Sequence, residues 1–213
     1  MGSLYKNPSN NRNEIILADV RHTAILIGDS QAQPEGSWPR AALGSIGYKV
    51  YTVGRGGTGF VAATSDTGNY IDALQRGDWV LPYGTPPLIV VQGGGNDAAR
   101  KVSDEQIASN ANRLIAALRK RYPLAKIAMI GTLARGAAAG GGRRTEVDTL
   151  LGTIAAKAGA TFFSVGDWIA KYHVEGDLVD GVHLNPAGHA KLGGVLAEDM
   201  AAAGLRLPPD TAS

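Results

Sequence analysis

The feature that most constrains this chain is a short apolar segment, Thr23–Ile27, followed directly by Gly28-Asp29-Ser30. The segment is too short for a typical helix and is rich in branched side chains, so it predicts a buried β-strand. Ligands of open parallel α/β sheets bind just beyond the carboxyl ends of the strands, which is where Ser30 would lie. A simpler role stays open at this point, since Asp29 and Ser30 are residue types that commonly cap a following helix.

Strands and helices alternate along the rest of the chain. Strand-like segments occur at 48–53, 88–92, 127–130 and 161–165, and helix-like segments at 38–46, 69–76, 103–121, 145–158 and 186–203. The helix at 103–121 is amphipathic and begins with a capping box formed by Ser103 and Gln106. Five buried strands separated by helices predict a parallel sheet covered on both faces. Right-handed connections then bring all five carboxyl ends to one edge of that sheet.

Composition narrows the class of protein. The chain has 213 residues, of which 44% are hydrophobic and 19% charged, as expected for one globular domain. The absence of cysteine excludes disulfides, zinc–thiolate sites and cysteine nucleophiles. No apolar run approaches the ~20 residues of a membrane span. A net charge of +2, with no basic cluster interleaved with aromatic residues, gives no indication of nucleic-acid binding.

The first 21 residues differ in character from the remainder. Residues 7–13 are rich in Asn, Pro and Ser, so we expect residues 1–21 to form an arm or linker and residues 22–213 to form the functional domain. No basic segment followed by an apolar segment is present, so no signal peptide is recognised. The compartment therefore stays open: extracellular if a signal or a further domain precedes this sequence, and cytoplasmic otherwise.

A second informative stretch is Asp180-Gly181-Val182-His183, near the carboxyl terminus. Histidine is the commonest general base near neutral pH. An acid three residues earlier, on a tight turn that Gly181 allows, can bond to the imidazole Nδ1 and leave Nε2 free to take a proton from Ser30. That is the logic of a serine–histidine–acid triad. For an isolated motif of this kind, a loop histidine and a turn aspartate would be the preferred interpretation.

Acyl transfer also needs hydrogen-bond donors directed at the developing oxyanion. The sequence offers the backbone N–H of Ser30, a backbone N–H near Gly57 and the side-chain amide of Asn96, each of which follows a predicted strand. Glycine suits the second position because the backbone must approach the ligand closely. The alternatives are a glycine-rich turn at 54–59 and a helix cap at Asn96 or Asp97. All of these segments should meet at one edge of the sheet.

The order of these motifs resembles that of the SGNH (GDSL-type) hydrolases. The matching blocks are Gly28-Asp29-Ser30, Gly57 within Gly56-Gly57-Thr58-Gly59, Gly94-Gly95-Asn96-Asp97, and Asp180-Gly181-Val182-His183 followed by Leu-Asn-Pro-Ala-Gly-His. The resemblance extends from residue 22 to residue 204. Each block is weak alone, but four blocks in the same order are specific.

The resemblance implies a three-layer αβα sandwich with a flavodoxin-like five-stranded parallel sheet, and ester hydrolysis without a metal or other cofactor. By position it implies Ser30 as nucleophile, His183 as base and Asp180 as the residue that orients His183. Ser30, Gly57 and Asn96 become the oxyanion donors. Two positions depart from the family pattern, Gln31 where many members carry Leu and Gly54 where many carry Asn. Both concern substrate preference and not the type of reaction.

The resulting hypothesis is a serine esterase that hydrolyses small acyl esters, including O-acetyl groups on carbohydrates, through an acyl-enzyme on Ser30. Two alternatives stay open: acyl transfer from the same site to a sugar or lipid acceptor, and a non-catalytic binding module. The oligomeric state is not predicted. A Gly/Ala-rich segment at 134–142 is expected to be a mobile loop beside the site. Arg135, Arg143 and Arg144 flank it, as solvated surface residues or, as the minority interpretation, as a site for an anionic substrate.

Overall fold

The computed structural model describes residues 2–209. The strands are β1 (Ser3–Asn7), β2 (Arg12–Ile16), β3 (Thr23–Gly28), β4 (Lys49–Gly54), β5 (Leu81–Pro82), β6 (Leu88–Gln92), β7 (Lys126–Ile130) and β8 (Thr161–Phe163). The helices are α1 (Trp38–Ser45), α2 (Tyr70–Arg76), α3 (Gly95–Ala99), α4 (Asp104–Arg121), α5 (Gly142–Ala158), α6 (Trp168–Lys171) and α7 (Pro186–Ala202). None of these helices is long and apolar enough to cross a membrane.

The main sheet has five parallel strands in the order β4-β3-β6-β7-β8. The chain first moves outward from β3 to β4 and then returns to the other side of β3 at β6, which places a change of winding direction between β3 and β6. Ligands of such sheets bind in the crevice outside the carboxyl ends at that point. The predicted αβα sandwich with a flavodoxin-like strand order is therefore confirmed.

The central strand, β3, is held by packing on both faces. Its residues Ala24 to Ile27 are all 0% exposed. Ile25 and Ile27 face a core built with α2, α4 and α5, and Ala24 and Leu26 face a second core built with α1, α6 and α7. Side chains alternate across a strand, so a continuous apolar run is what a strand buried on both faces requires. The residues that directly follow β3 are thus anchored to a fully buried strand.

Residues 3–16, which lie in the segment expected to be an arm or linker, form a β-hairpin. β1 and β2 pair antiparallel, and β2 pairs in parallel with the short strand β5. Glu14, which is 3% exposed, accepts a hydrogen bond from Arg121 of α4 at 2.6 Å. The pairing of β2 with β5 and a buried ion pair join the hairpin to the rest of the chain. Neither contact requires a periodic pattern of apolar residues, so the polar sequence suggested a linker. The division of the chain at residue 22 stays a prediction.

The loop at 134–142 contains fewer irregular residues than the sequence suggested. Its middle forms a 3-10 turn, Ala137–Ala139, and α5 begins at Gly142, three residues before the predicted start at Thr145. The N–H of Gly141 donates to the carbonyl oxygen of Gly136 at 2.8 Å, which closes the turn. Its mobility stays a prediction.

Candidate active site

Ser30, Asp180 and His183 form a continuous chain of hydrogen bonds at the carboxyl edge of the main sheet. Ser30 lies two residues after β3, and its Oγ is 2.7 Å from Nε2 of His183. Nδ1 of His183 is 2.7 Å from Oδ2 of Asp180. When the carboxylate accepts a hydrogen bond from Nδ1–H, Nε2 carries the lone pair that can take the hydroxyl proton. The fold thus brings together two segments 153 residues apart in the chain.

Asp180 and His183 lie on residues 178–184, which we call the histidine loop. Leu178 and Leu184 pair as an antiparallel bridge at its base, and the N–H of Val179 donates to the carbonyl oxygen of His183 at 2.8 Å. At the tip, Gly181 has a φ of +82°, in the left-handed region that favours glycine. The loop is therefore closed by its own backbone, and its closure brings the acid back toward the imidazole.

The Asp180 carboxylate is held in its ionised form by hydrogen bonds. Its Oδ1 accepts from the backbone N–H of His183 at 2.7 Å and from that of Val182 at 3.0 Å. The backbone N–H of His183, followed by its ring N–H, keeps the pKa of Asp180 well below its usual range. Because the carboxylate stays charged, it orients the imidazole and stabilises the imidazolium that proton transfer would create.

The three predicted oxyanion donors lie in the same region. The backbone N–H groups of Ser30 and Gly57 have no acceptor among residues 2–209. The side-chain amide of Asn96 donates to the carbonyl oxygen of Thr58 at 2.9 Å and lies 3.4 Å from Oδ2 of Asp29. Asn96 does not cap α3, because Gly94 occupies the N-cap position and no side chain bonds there. Of the interpretations weighed for Asn96, the helix cap is thus wrong.

The turn that carries Gly57 follows β4 and packs closely against the end of β3. Gly54 has a φ of +117°, and a Cβ at this position would overlap the carbonyl oxygen of Gly28. Two backbones can approach this closely only where a side chain is absent. The glycine at position 54, one of the two departures from the family pattern, therefore has a structural cause.

Asp97 fixes the far end of the same turn. It is 0% exposed, and its carboxylate accepts three backbone hydrogen bonds, from Phe60 at 2.9 Å, Val61 at 2.8 Å and Ala62 at 2.7 Å. Three such bonds satisfy a buried charge that would otherwise be costly. The sequence suggested at most a helix cap for Asp97, whereas the structure shows that it holds the loop beyond Gly57.

Asp29 stabilises the turn on which Ser30 lies. Its Oδ1 accepts from the N–H of Gln31 at 2.9 Å, and the side-chain amide of Gln92, oriented so that both of its polar atoms have partners, donates to the same oxygen at 3.1 Å. Burial raises the pKa of Asp29 to about 6, against the opposing effect of the Gln31 hydrogen bond. Burial therefore disfavours the ionised form of the carboxyl next to Ser30.

Sequence reasoning missed the function of Gln31 in the structure. Its Nε2 donates to the carbonyl oxygen of Val182 at 2.9 Å, and its Oε1 lies 3.4 Å from the indole nitrogen of Trp38. The side chain is 3% exposed. Gln31 thus joins the nucleophile turn to the histidine loop at the residue before His183. The departure from the usual Leu was the one signal in the sequence, but it gave no indication of the contact.

Two other histidines, His189 and His22, have contacts away from Ser30. His189 accepts a hydrogen bond from the backbone N–H of Trp38 at 3.2 Å, and burial lowers its pKa. His22 lies 2.7 Å from Asp19 at the opposite end of β3. Within residues 2–209, no group of three or more His, Asp or Glu side chains is arranged to hold a metal ion.

Comparison with solved structures shows the same fold in several esterases. A family two carbohydrate esterase from Clostridium thermocellum aligns with a TM-score of 0.65 at 15% identity, over 86% of this chain and 64% of that one. The family two carbohydrate esterase from Cellvibrio japonicus aligns with a TM-score of 0.66 at 16% identity, over 85% and 61%. The aryl esterase of M. smegmatis aligns with a TM-score of 0.61 at 17% identity, over 84% and 98%. This chain therefore spans less than two thirds of the two carbohydrate esterases.

Sequence comparison gives the family. No curated protein matches the chain. The profile of the GDSL-like lipase/acylhydrolase family, in contrast, matches residues 23–191, which include Ser30, Asn96 and the complete histidine loop. The match covers most of the chain and ends within α7, so it takes in every strand of the main sheet. The protein belongs to the GDSL-like lipase/acylhydrolase family.

Proposed function

We propose that this protein is a serine esterase that removes small acyl groups from carbohydrate or other alcohols through an acyl-enzyme on Ser30. One observation carries the proposal: the 2.7 Å contact between Ser30 Oγ and His183 Nε2, continued by the 2.7 Å contact between His183 Nδ1 and Asp180. A serine, a histidine and an ionised carboxylate in this order activate a hydroxyl that is otherwise a weak nucleophile.

The reaction runs in two halves. His183 Nε2 takes the proton of Ser30 Oγ as the oxygen attacks the ester carbonyl carbon, and the carbonyl oxygen gains a negative charge. The imidazolium then gives this proton to the departing alkoxide, so the alcohol leaves and the acyl group stays on Ser30. A water molecule repeats the attack with His183 as base, which releases the carboxylic acid and restores Ser30.

The N–H groups of Ser30 and Gly57 are free for the oxyanion, because neither has an acceptor among residues 2–209. The Asn96 amide is the third donor, held near this point by its bond to Thr58. Donors fixed before the reaction stabilise the charge as it develops and need no rearrangement. This arrangement supports acyl chemistry. It argues against a non-catalytic binding module, which needs no oxyanion donors.

The exposure of the catalytic side chains supports a substrate ester with a large alcohol portion. The side chains of His183 and Asp180 are 39% and 53% exposed. A bulky alcohol can then remain largely outside while the acyl group reaches Ser30. The similarity in fold to family two carbohydrate esterases and to an aryl esterase agrees with this choice of substrate.

The test is hydrolysis of p-nitrophenyl acetate and of an acetylated oligosaccharide, combined with labelling by a fluorophosphonate. We expect turnover and a label on Ser30, both absent in Ser30→Ala. The control is Ser45→Ala, which removes an exposed hydroxyl at the end of α1 and should behave as the unaltered chain. Equal hydrolysis or labelling by Ser30→Ala would rule out the mechanism. Product analysis with and without an acceptor sugar separates hydrolysis from acyl transfer.

A further inference from the structure

Arg144, in the first turn of α5, is a partly buried cation with no carboxylate of residues 2–209 in ion-pair contact, although the charge of Asp29 acts on it from farther away. Its Nε donates to the carbonyl oxygen of Leu133 at 2.9 Å, and its Nη1 lies 3.5 Å from the carbonyl oxygen of Gly95. Its Nη2 has no acceptor, and no carboxylate among residues 2–209 forms an ion pair with Arg144. Buried charges in proteins are normally paired, because removal from water is costly.

The neighbouring Arg143 provides a contrast within the same turn. Its guanidinium contacts Asp104 at 2.6 Å and Glu146 at 3.3 Å, and it donates to the carbonyl oxygen of Val102 at 2.7 Å. These contacts raise the pKa of Arg143, with the Asp104 hydrogen bond as the main cause. Burial, by contrast, lowers the pKa of Arg144, against the opposing effect of the Asp29 carboxyl. Arg143 therefore has two carboxylates in contact, whereas Arg144 has none in contact.

The Arg144 guanidinium lies beside Gly95, the residue before the proposed oxyanion donor Asn96. A Cβ added to Gly95 would be 2.9 Å from Nη1 of Arg144 and 3.0 Å from Nη2, so the group lies flat against the residue that precedes Asn96. Arg144 also lines a cavity of about 110 Å³ together with Arg135, Gly181 and Val182. The last two of these residues directly precede His183. The cavity thus adjoins the histidine loop and carries two arginines.

We propose that this cavity is a subsite for a carboxylate group of the substrate, bound by Arg144 with Arg135 at its outer side, and that the enzyme prefers esters that carry such a group. This inference rests on the proposed esterase function and narrows its substrate class. Arginine binds carboxylates through two parallel N–H bonds, and its free Nη2 is available for one of them. A volume of about 110 Å³ holds a small polar group rather than a long acyl chain.

Matched ester pairs test the subsite on each side of the scissile bond. On the acyl side, p-nitrophenyl hemisuccinate is compared with p-nitrophenyl 4-methylpentanoate, which replaces the carboxylate by an isopropyl group of the same shape. On the alcohol side, 4-acetoxybenzoate is compared with its methyl ester. The measured quantity is the ratio of kcat/KM within each pair, after subtraction of the spontaneous rate in the presence of Ser30→Ala.

We expect the unaltered chain to favour the carboxylated ester in one of the two pairs. In Arg144→Gln, the kcat/KM ratio of the carboxylated to the uncharged ester of that pair should fall about tenfold or more, because a charged hydrogen bond is lost. Arg144→Lys, which keeps the charge but loses the two-pronged geometry, should fall between them. Arg143→Gln is the matched control, because it removes one positive charge from the adjacent position and should leave the ratio unchanged. High salt should weaken the preference.

A binding measurement keeps the proposal testable if Arg144→Gln does not fold. Calorimetric titration of Ser30→Ala with succinate should show saturable binding, and the double variant Ser30→Ala/Arg144→Lys should bind more weakly. Absence of binding, or ratios that do not change in Arg144→Gln, would overturn the subsite. If p-nitrophenyl acetate is hydrolysed in a Ser30-dependent way while the ratios stay equal, only the subsite fails. If no ester is hydrolysed, the proposed function itself fails.

Discussion

Loss of Asp180 should cost less activity than loss of Ser30 or His183. In a comparable triad, loss of the serine or histidine lowers kcat by on the order of 10⁶, and loss of the acid by roughly 10⁴. Asp180→Ala also leaves the histidine loop closed by the bond between Val179 and His183. Steady-state kinetics of the three alanine variants check the order, with Glu175→Gln as a control for a nearby carboxylate. A nearly unaltered kcat in Asp180→Ala would mean that another group orients His183.

A variant of Asn96 distinguishes a catalytic function of this residue from a structural one. An oxyanion donor acts mainly in the transition state, so Asn96→Ala should lower kcat by ~10²–10³ with little change in KM. Loss of its bond to Thr58 should in addition lower the free energy of unfolding by about 1 kcal/mol. Kinetics and denaturant unfolding of the single variant measure both. A lower stability with kcat unchanged would remove Asn96 from the oxyanion hole.

At the scale of elements, the relative position of the nucleophile turn and the histidine loop depends on Gln31. Gln31→Met keeps a similar shape but cannot donate to Val182, so kcat should fall by about tenfold with little change in KM, and the free energy of unfolding should fall by about 1 kcal/mol. The loss acts through His183, whose loop would no longer be tied to the residue after Ser30. The test compares kcat for Gln31→Met and Gln31→Leu. Full activity in both would show that the loop needs no such tie.

The same elements show what the sequence could and could not predict. The apolar run of β3 and the capping box of α4 are local patterns, and each element was predicted with its type and to within a residue or two of its ends. The triad was predicted because its motifs occur in a specific order. The contacts of Gln31 with Val182 and of Glu14 with Arg121 join segments 151 and 107 residues apart, which no local pattern encodes. Such contacts follow from tertiary packing alone.

At the scale of the whole molecule, the carboxyl of Asp29 should make stability depend on pH. Its pKa is about 6 in the folded state, above the value of 3.8 expected when unfolded, so the folded state binds this proton more tightly. That contribution is fully present below the unfolded pKa and is lost as pH rises through the folded pKa. Relative to Asp29→Asn, the unaltered chain should lose about 2–3 kcal/mol of unfolding free energy between about pH 4 and about pH 7.

Denaturant unfolding of the two proteins across this range measures the difference, and the other titrating groups cancel in the comparison. The buried Asp148, whose pKa is also raised by burial, is one of these groups, since it is present in both proteins. A difference in unfolding free energy that stays constant with pH would show that folding does not raise the pKa of Asp29.

The contact between Gly54 and Gly28 has a consequence for how this sequence can change. Because the carbonyl oxygen of Gly28 fills the space of a Cβ at position 54, any other residue there requires β3 and β4 to separate at their ends. Asparagine, which many family members carry at this position, would therefore fit here only together with compensating changes in the neighbouring strand.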